Sequence, residues 1–161
     1  MIDTNRLIYL HGLESDSNSG KARLFREWFP GMLTPDFKGS FDERMSQLLL
    51  ILSGKTDWTL IGSSFGGLMG ATFTVDYPTQ VRKLILLAPA LMLDPFASRQ
   101  PMPVSVPTII IHGTLDTIVP LEPVRKIAQQ FFTNLTYHIV EDDHRLHKAV
   151  HELDWKNIIS S

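Results

Sequence analysis

The chain contains no cysteine. That excludes disulfides, thiolate metal sites and a cysteine nucleophile, and it fits a reducing compartment, so the expected location is cytoplasmic. There is no basic run and no basic patch interleaved with aromatics, and the formal net charge is only -2. Nothing therefore points to nucleic acid or an anionic membrane surface as partner. No apolar stretch approaches the roughly 20 residues of a membrane span. The polar start, Met1 to Arg6, leads into only a short apolar run and does not read as a signal peptide. Internal repeats, low-complexity tracts and linkers are also missing. What remains is 161 residues, 43% hydrophobic and 20% charged, the composition of one globular domain spanning 1–161 around one core.

Short apolar runs alternate with helical patterns along this length. Strands are expected at Leu7 to Leu10, Met32 to Thr34, Trp58 to Gly62, Val81 to Leu87, Thr108 to Ile111 and Leu135 to Val140. Between them the apolar spacing predicts helices from Gly20 to Phe29, Phe41 to Ser53, Ser64 to Tyr77 and Leu121 to Phe132, with a last helix from His147 to Ile159. Ala88 to Val106 carries Pro89, Pro95, Pro101 and Pro103 and reads as an irregular loop, a candidate flap. Six strands separated by helices predict a doubly wound α/β fold, with a mainly parallel six-stranded sheet and helices on both faces. Ligands of such sheets gather beyond the carboxyl ends of the strands.

One segment has chemistry written into it. Thr59 to Ile61 is an apolar strand that runs into Gly62-Ser63-Ser64-Phe65-Gly66 and then into a helix. A Gly-x-Ser-x-Gly turn of this kind presents its serine on a sharp elbow, and small flanking residues keep strand and helix from colliding. A plain Gly/Ser loop has the same composition, so the motif gains weight from its company. A serine nucleophile needs a base and a group that orients the base. Asp116 lies in the loop after the fifth strand and His144 in the loop after the sixth, which gives the chain order Ser, Asp, His. Asp94, after the fourth strand, is the rival acid, and His147 the rival base. Phe65 and Leu13 are the candidate backbone donors for an oxyanion, one just after the serine and one in the His11-Gly12-Leu13 loop after the first strand.

The other polar residues have plainer readings. His11 and His112 both precede glycine at strand ends and brace loops, with His11 and Gly12 bordering the substrate. Met92 and Phe96 read equally as loop packing or as the wall of an acyl pocket. Asp142 and Asp143 read as solvated loop charges, Lys21 as a surface residue at a helix start. His138 reads as a sheet-face residue and His151 as solvated. No set of histidines has convincing metal spacing. Gly12 to Lys21 fails as a phosphate loop, because the glycine spacing is too long and Ala22 stands where Ser or Thr is required.

Together, the His-Gly loop, the Gly-x-Ser-x-Gly elbow, His112-Gly113-x-x-Asp116-x-x-Val119-Pro120 and the late Asp143-His144 resemble the α/β-hydrolase superfamily. Tyr9 to Ser15 followed by Ser19-Gly20-Lys21-Ala22 is similar to the small, lidless YqiA-like bacterial esterases. The resemblance implies a minimal version of that fold, lacking N-terminal strands of the eight-stranded sheet. It also implies a serine hydrolase of small esters or thioesters, with Ser64, His144 and Asp116 as triad and neither cofactor nor metal. An amidase or peptidase, or an idle hydrolase fold kept as an interaction module, are the alternatives. Glu14 departs from an oxyanion loop's needs and is expected to face solvent.

Overall fold

The computed structural model describes residues 1–161. Five parallel strands form one sheet in the order β1 (Leu7–Leu10), β2 (Trp58–Ser63), β3 (Val81–Leu87), β4 (Thr108–Gly113) and β5 (Leu135–Val140). The expected sixth strand, Met32 to Thr34, shrinks to one bridge, Leu33 beside Ile8. Its two hydrogen bonds, from Leu33 N–H to Leu7 and from Tyr9 N–H to Leu33, are both 2.9 Å. Leu33 has no strand on its outer side and Pro35 follows, so the pairing does not extend.

The single bridge still decides the winding. The chain leaves β1, reaches the outer edge at Leu33 and returns to the opposite side of β1 to make β2. The direction of winding therefore reverses between β1 and β2, the place where such sheets leave a crevice.

Helices cover both faces. On one face lie α2 (Phe41–Leu52), α3 (Phe65–Asp76) and α5 (Leu121–Phe131), whose Leu48, Leu68 and Val124 pack on Ile8, Leu60, Leu84 and Ile110. On the other lie α1 (Gly20–Trp28), α6 (Ala149–Glu152) and α7 (Trp155–Ser160), packed on Tyr9, Ile61, Ile85 and Ile111. Alternate residues of each strand thus feed opposite cores, which is why β1 to β4 read as continuous apolar runs. The edge strand β5 has only half-buried and exposed residues and puts His138 at the surface.

The helix ends follow local chemistry. Ser40 and Glu43 close a capping box at α2, with both bonds at 3.2 Å, and Ser19 caps α1 through Ala22 N–H. The expected last helix is broken: it starts at Ala149, stops at Glu152 and restarts after Asp154, which caps α7 through Asn157 N–H at 3.1 Å. The proline-rich loop is less of a flap than expected. A short helix, α4 (Asp94–Ala97), anchors it, and Val104 bridges to Phe132.

Candidate active site

The elbow is a strained turn held from several sides. Ser64 has φ 54° and ψ -112°, a backbone state that costs an L-residue on the order of 1–3 kcal/mol. Its N–H donates to Leu87 O at 2.9 Å, and its carbonyl accepts from Ala90 N–H at 3.0 Å and Leu68 N–H at 3.1 Å. These bonds tie the turn to the end of β3 and the start of α3. A Cβ at Gly62 would overlap the Gly66 backbone, and one at Gly66 would overlap the Leu10 carbonyl at the end of β1. The glycines thus let α3 start against two strands at once.

Three side chains from three loops form one hydrogen-bonded chain. His144 Nε2 lies 3.1 Å from Ser64 Oγ, and His144 Nδ1 lies 2.8 Å from Asp116 Oδ2. A carboxylate at Nδ1 requires the proton there, so Nδ1 donates and Nε2 is left to accept from the serine hydroxyl. The Asp116 side chain is wholly buried, whereas His144 keeps 15% of its side chain exposed. Burial works to raise the Asp116 carboxyl. Donors from Val119 N–H, His144 and Ile118 N–H outweigh it and hold the group below the ordinary carboxylate value. Both backbone bonds are 2.8 Å and use Oδ1, which leaves Oδ2 to face the imidazole.

The rival acid and base stand elsewhere. Asp94 is exposed at the start of α4, and His147 pairs with exposed Asp143 at 2.8 Å.

A cleft of about 790 Å³ opens over Ser64, with Gly12, Leu13, Phe65, Met92 and His144 among its walls. Phe65 opens α3, where a backbone N–H has no acceptor in its own helix. Leu13 N–H takes part in none of the loop hydrogen bonds, and its carbonyl accepts from Arg44 Nη2 at 3.2 Å. Glu14 is exposed at the rim, as expected.

Several expectations need correction. Phe96, expected at the substrate, is fully buried in the core, 4.4 Å from the Phe131 ring centre. His11, also expected there, lies behind the loop rather than on the cleft and receives the Phe37 N–H at 2.9 Å. Asp142 is no solvated charge. It is buried, and its carboxylate accepts from Asp143, Lys148 and Ala149 N–H, shaping the turn that carries His144. Lys21 lines the cleft instead of standing free on the surface.

Arg44 was missed altogether. It is buried, donates through Nε to Gly39 O at 3.0 Å, and lies over the Phe65 ring at 5.4 Å. Its Nη1 is buried without a partner. It therefore touches both Leu13 and Phe65 on the wall of the cleft. The signal was present: Arg44 shares the apolar stripe of Phe41, Leu48 and Leu52.

No group of three or more His, Asp or Glu side chains is arranged to hold a metal ion, and no helix is long and apolar enough to cross a membrane.

Residues 34–105 match the family model for the alpha/beta hydrolase fold. The chain is similar to an alpha/beta-superfamily protein from Xanthomonas campestris pv. campestris, with 27% identity over 91% of this chain and 90% of that one and a TM-score of 0.73. It is also similar to alpha/beta hydrolase domain-containing protein 10 from mouse, with 19% identity over 94% and 87% of the two chains and a TM-score of 0.79. An alpha-beta serine hydrolase homologue from Coxiella burnetii superposes with a TM-score of 0.73, 21% identical over 95% of this chain and 81% of its own. No curated protein matches the sequence. The fold is that of the α/β hydrolases.

Proposed function

We propose that this protein is a serine hydrolase that cleaves carboxylic esters or thioesters of small or short-chain acids. The observation that carries the reading is the unbroken chain Ser64 Oγ, His144, Asp116 at a strained elbow under an open cleft. A half-buried hydroxyl that lines the cleft on an overdetermined turn, already bonded to an imidazole whose tautomer a buried carboxylate selects, has the parts of an activated nucleophile.

The steps follow from those positions. His144 Nε2 takes the Ser64 proton as Oγ bonds to the acyl carbon, and the carbonyl oxygen becomes an oxyanion. The Leu13 and Phe65 N–H groups, with the positive end of α3 behind them, receive that charge. When the adduct collapses, the bond to the leaving oxygen or sulfur breaks, and His144 returns the proton to it. Water then attacks the acyl-enzyme while His144 takes its proton. The acid leaves and Ser64 regains its hydrogen. Asp116 stays ionised throughout and stabilises the imidazolium; its lowered pKa suits that role. As written, the reaction needs no metal and no cofactor. The hydrolase-fold neighbours agree with hydrolysis as the reaction class.

A fluorophosphonate probe tests this directly. The wild type should be modified at Ser64, and the folded Ser64→Ala variant should remain unmodified. A folded wild type that resists the probe and turns over no member of a graded panel of acyl esters and thioesters would overturn the reading.

A further inference from the structure

The cleft over Ser64 has two unlike walls. Met92, Leu93, Ile118 and Val119 approach from the loops after β3 and β4, on the side where the Ala90, Leu91 and Val119 cluster continues the core. The opposite wall is built from the start of α1 and the segment after β5, which belong to the other core. Tyr9, Leu24 and Val150 line that side too, but its charged residues are Lys21 and Arg145, with His147 beside them.

Neither cation is paired. Lys21 and Arg145 enter none of the four ion pairs in the structure. The acids nearby make no hydrogen bond or ion pair with either cationic side chain. Asp142 accepts three backbone N–H groups, and Asp143 accepts from His147 and from the Arg145 backbone. Glu14 lines the same cleft, exposed and in no ion pair. Lys21 is half-buried, and its ammonium is pushed below its ordinary value, first by burial and then by the charge of Arg145, against the smaller opposing pull of Asp143 and Asp142. A half-buried Lys21 and an exposed Arg145 that repel each other on one wall of the cleft are an arrangement that an anion would relieve.

Reaction geometry says which end of the substrate faces them. His144 must hand its proton to the leaving atom, so the leaving group departs on the imidazole's side. Arg145 is the next residue, and the same segment forms the cationic wall. The apolar wall is left for the acyl group.

We propose that the leaving group of the substrate carries an anion, a carboxylate or a phosphate, bound between Lys21 and Arg145. This rests on the hydrolase reading above and narrows it to esters or thioesters of acidic alcohols or thiols.

The test uses esters that differ in charge at one place: 4-(butyryloxy)benzoate, its methyl ester, and 4-(butyryloxy)phenyl phosphate. The wild type should favour an anionic member over the methyl ester by about tenfold in kcat/KM, mainly through KM, the size expected of one charge-assisted bond at a half-exposed site. Lys21→Met with Arg145→Met keeps the apolar stems and should bring the ratio close to one. The relative rates of the carboxylate and phosphate esters separate the two anions. A wild-type ratio near one, or a ratio the double variant leaves intact, would overturn the proposal while leaving the hydrolase in place. Should no ester be hydrolysed, the hydrolase reading fails, and calorimetry still decides the anion site. Tighter binding of 4-hydroxybenzoate than of its methyl ester, lost in the double variant, supports it; equal binding refutes it.

Discussion

His11-Gly12 follows β1 and His112-Gly113 closes β4, so the same dipeptide stands twice at the carboxyl edge of the sheet. Both rings are buried. Their partners select opposite tautomers. His11 Nε2 receives the Phe37 N–H at 2.9 Å, so its proton sits on Nδ1 and is donated to Gly12 O at 2.7 Å. His112 Nε2 faces the Val119 carbonyl at 3.1 Å, so its proton sits there, and Nδ1 accepts from the Tyr137 hydroxyl at 2.9 Å. The first ring joins the loop after β1 to the segment before α2. The second closes the acid loop on itself and pins it to β5. Each ring is a two-ended brace; geometry, not residue type, decides where its proton lies.

The glycines diverge further. A Cβ at Gly12 would meet nothing closer than Ser63 O at 3.8 Å and Ser64 Cβ at 3.9 Å. A Cβ at Gly113 would overlap the Asp142 carbonyl, with the Asp142 carbon at 2.8 Å and Asp143 O at 2.9 Å. One loop is left open toward the cleft. The other is packed against the turn that carries His144.

The sharpest break in the pattern is Gly113→Ala. The new methyl can fit only if residues 142 and 143 move, which strains the Leu115 N–H bond to Asp142 O and displaces His144. A loss on the order of 3 kcal/mol is expected, from overpacking a backbone contact that has no flexible side chain to yield. Chemical denaturation measures it, and a variant as stable as wild type would show that the two loops are not packed as described.

His112→Gln comes next. Removing the ring strands the Tyr137 hydroxyl and the Val119 carbonyl, at a cost of about 1–3 kcal/mol near neutral pH. The same variant has a pH signature. Burial pushes the His112 pKa below its ordinary value, against the opposing pull of Val119 and Asp116. The unfolded chain therefore takes up a proton near pH 6.5 that the folded chain still refuses. Stability must fall as pH drops from about 6.5 toward the lowered value, then level off. His112→Gln should flatten that part of the curve. Asp116, also lowered, acts in a separate window: its contribution is complete above about pH 4 and fades only below it. An unaltered slope between pH 7 and 5 in the variant would show that His112 is charged in the folded protein.

The same contrast explains what could be read in advance. Strands β1 to β4 were legible because runs such as Thr108 to Ile111 are apolar on both faces, and the elbow because glycines at 62 and 66 bracket a serine. Ser64, Asp116 and His144 were legible as types at the ends of strands; that one chain of hydrogen bonds joins them is a fact of three dimensions. What stayed hidden depends on direction rather than type. Phe96 and Met92 share one loop, yet α4 turns the first into the core and leaves the second on the cleft. Asp142 and Asp143 are adjacent, and only the turn between β5 and α6 separates a buried cap from a surface charge. Lys21 reads as solvated because its spacing says nothing of the segment after β5 that lines the same cleft.

Gly12→Ala should have the smallest effect on stability and divides the two loops most cleanly. With room for the methyl and no positive φ to relieve, the substitution mainly restricts the unfolded chain, so a gain of about 0.4–1 kcal/mol is expected. The methyl would nonetheless stand beside Ser64 Cβ on the wall of the cleft, where the proposed mechanism brings an acyl group to Leu13 N–H. One methyl in a binding pocket is worth roughly 1–3 kcal/mol, so kcat/KM for a butyrate ester should fall about tenfold while the protein becomes slightly harder to unfold. At Gly113 stability and activity should fall together; at Gly12 they should move apart. A parallel loss at both positions would mean that the loop after β1 is as tightly packed as its counterpart after β4, and the assignment of Gly12 to the substrate's path would go with it.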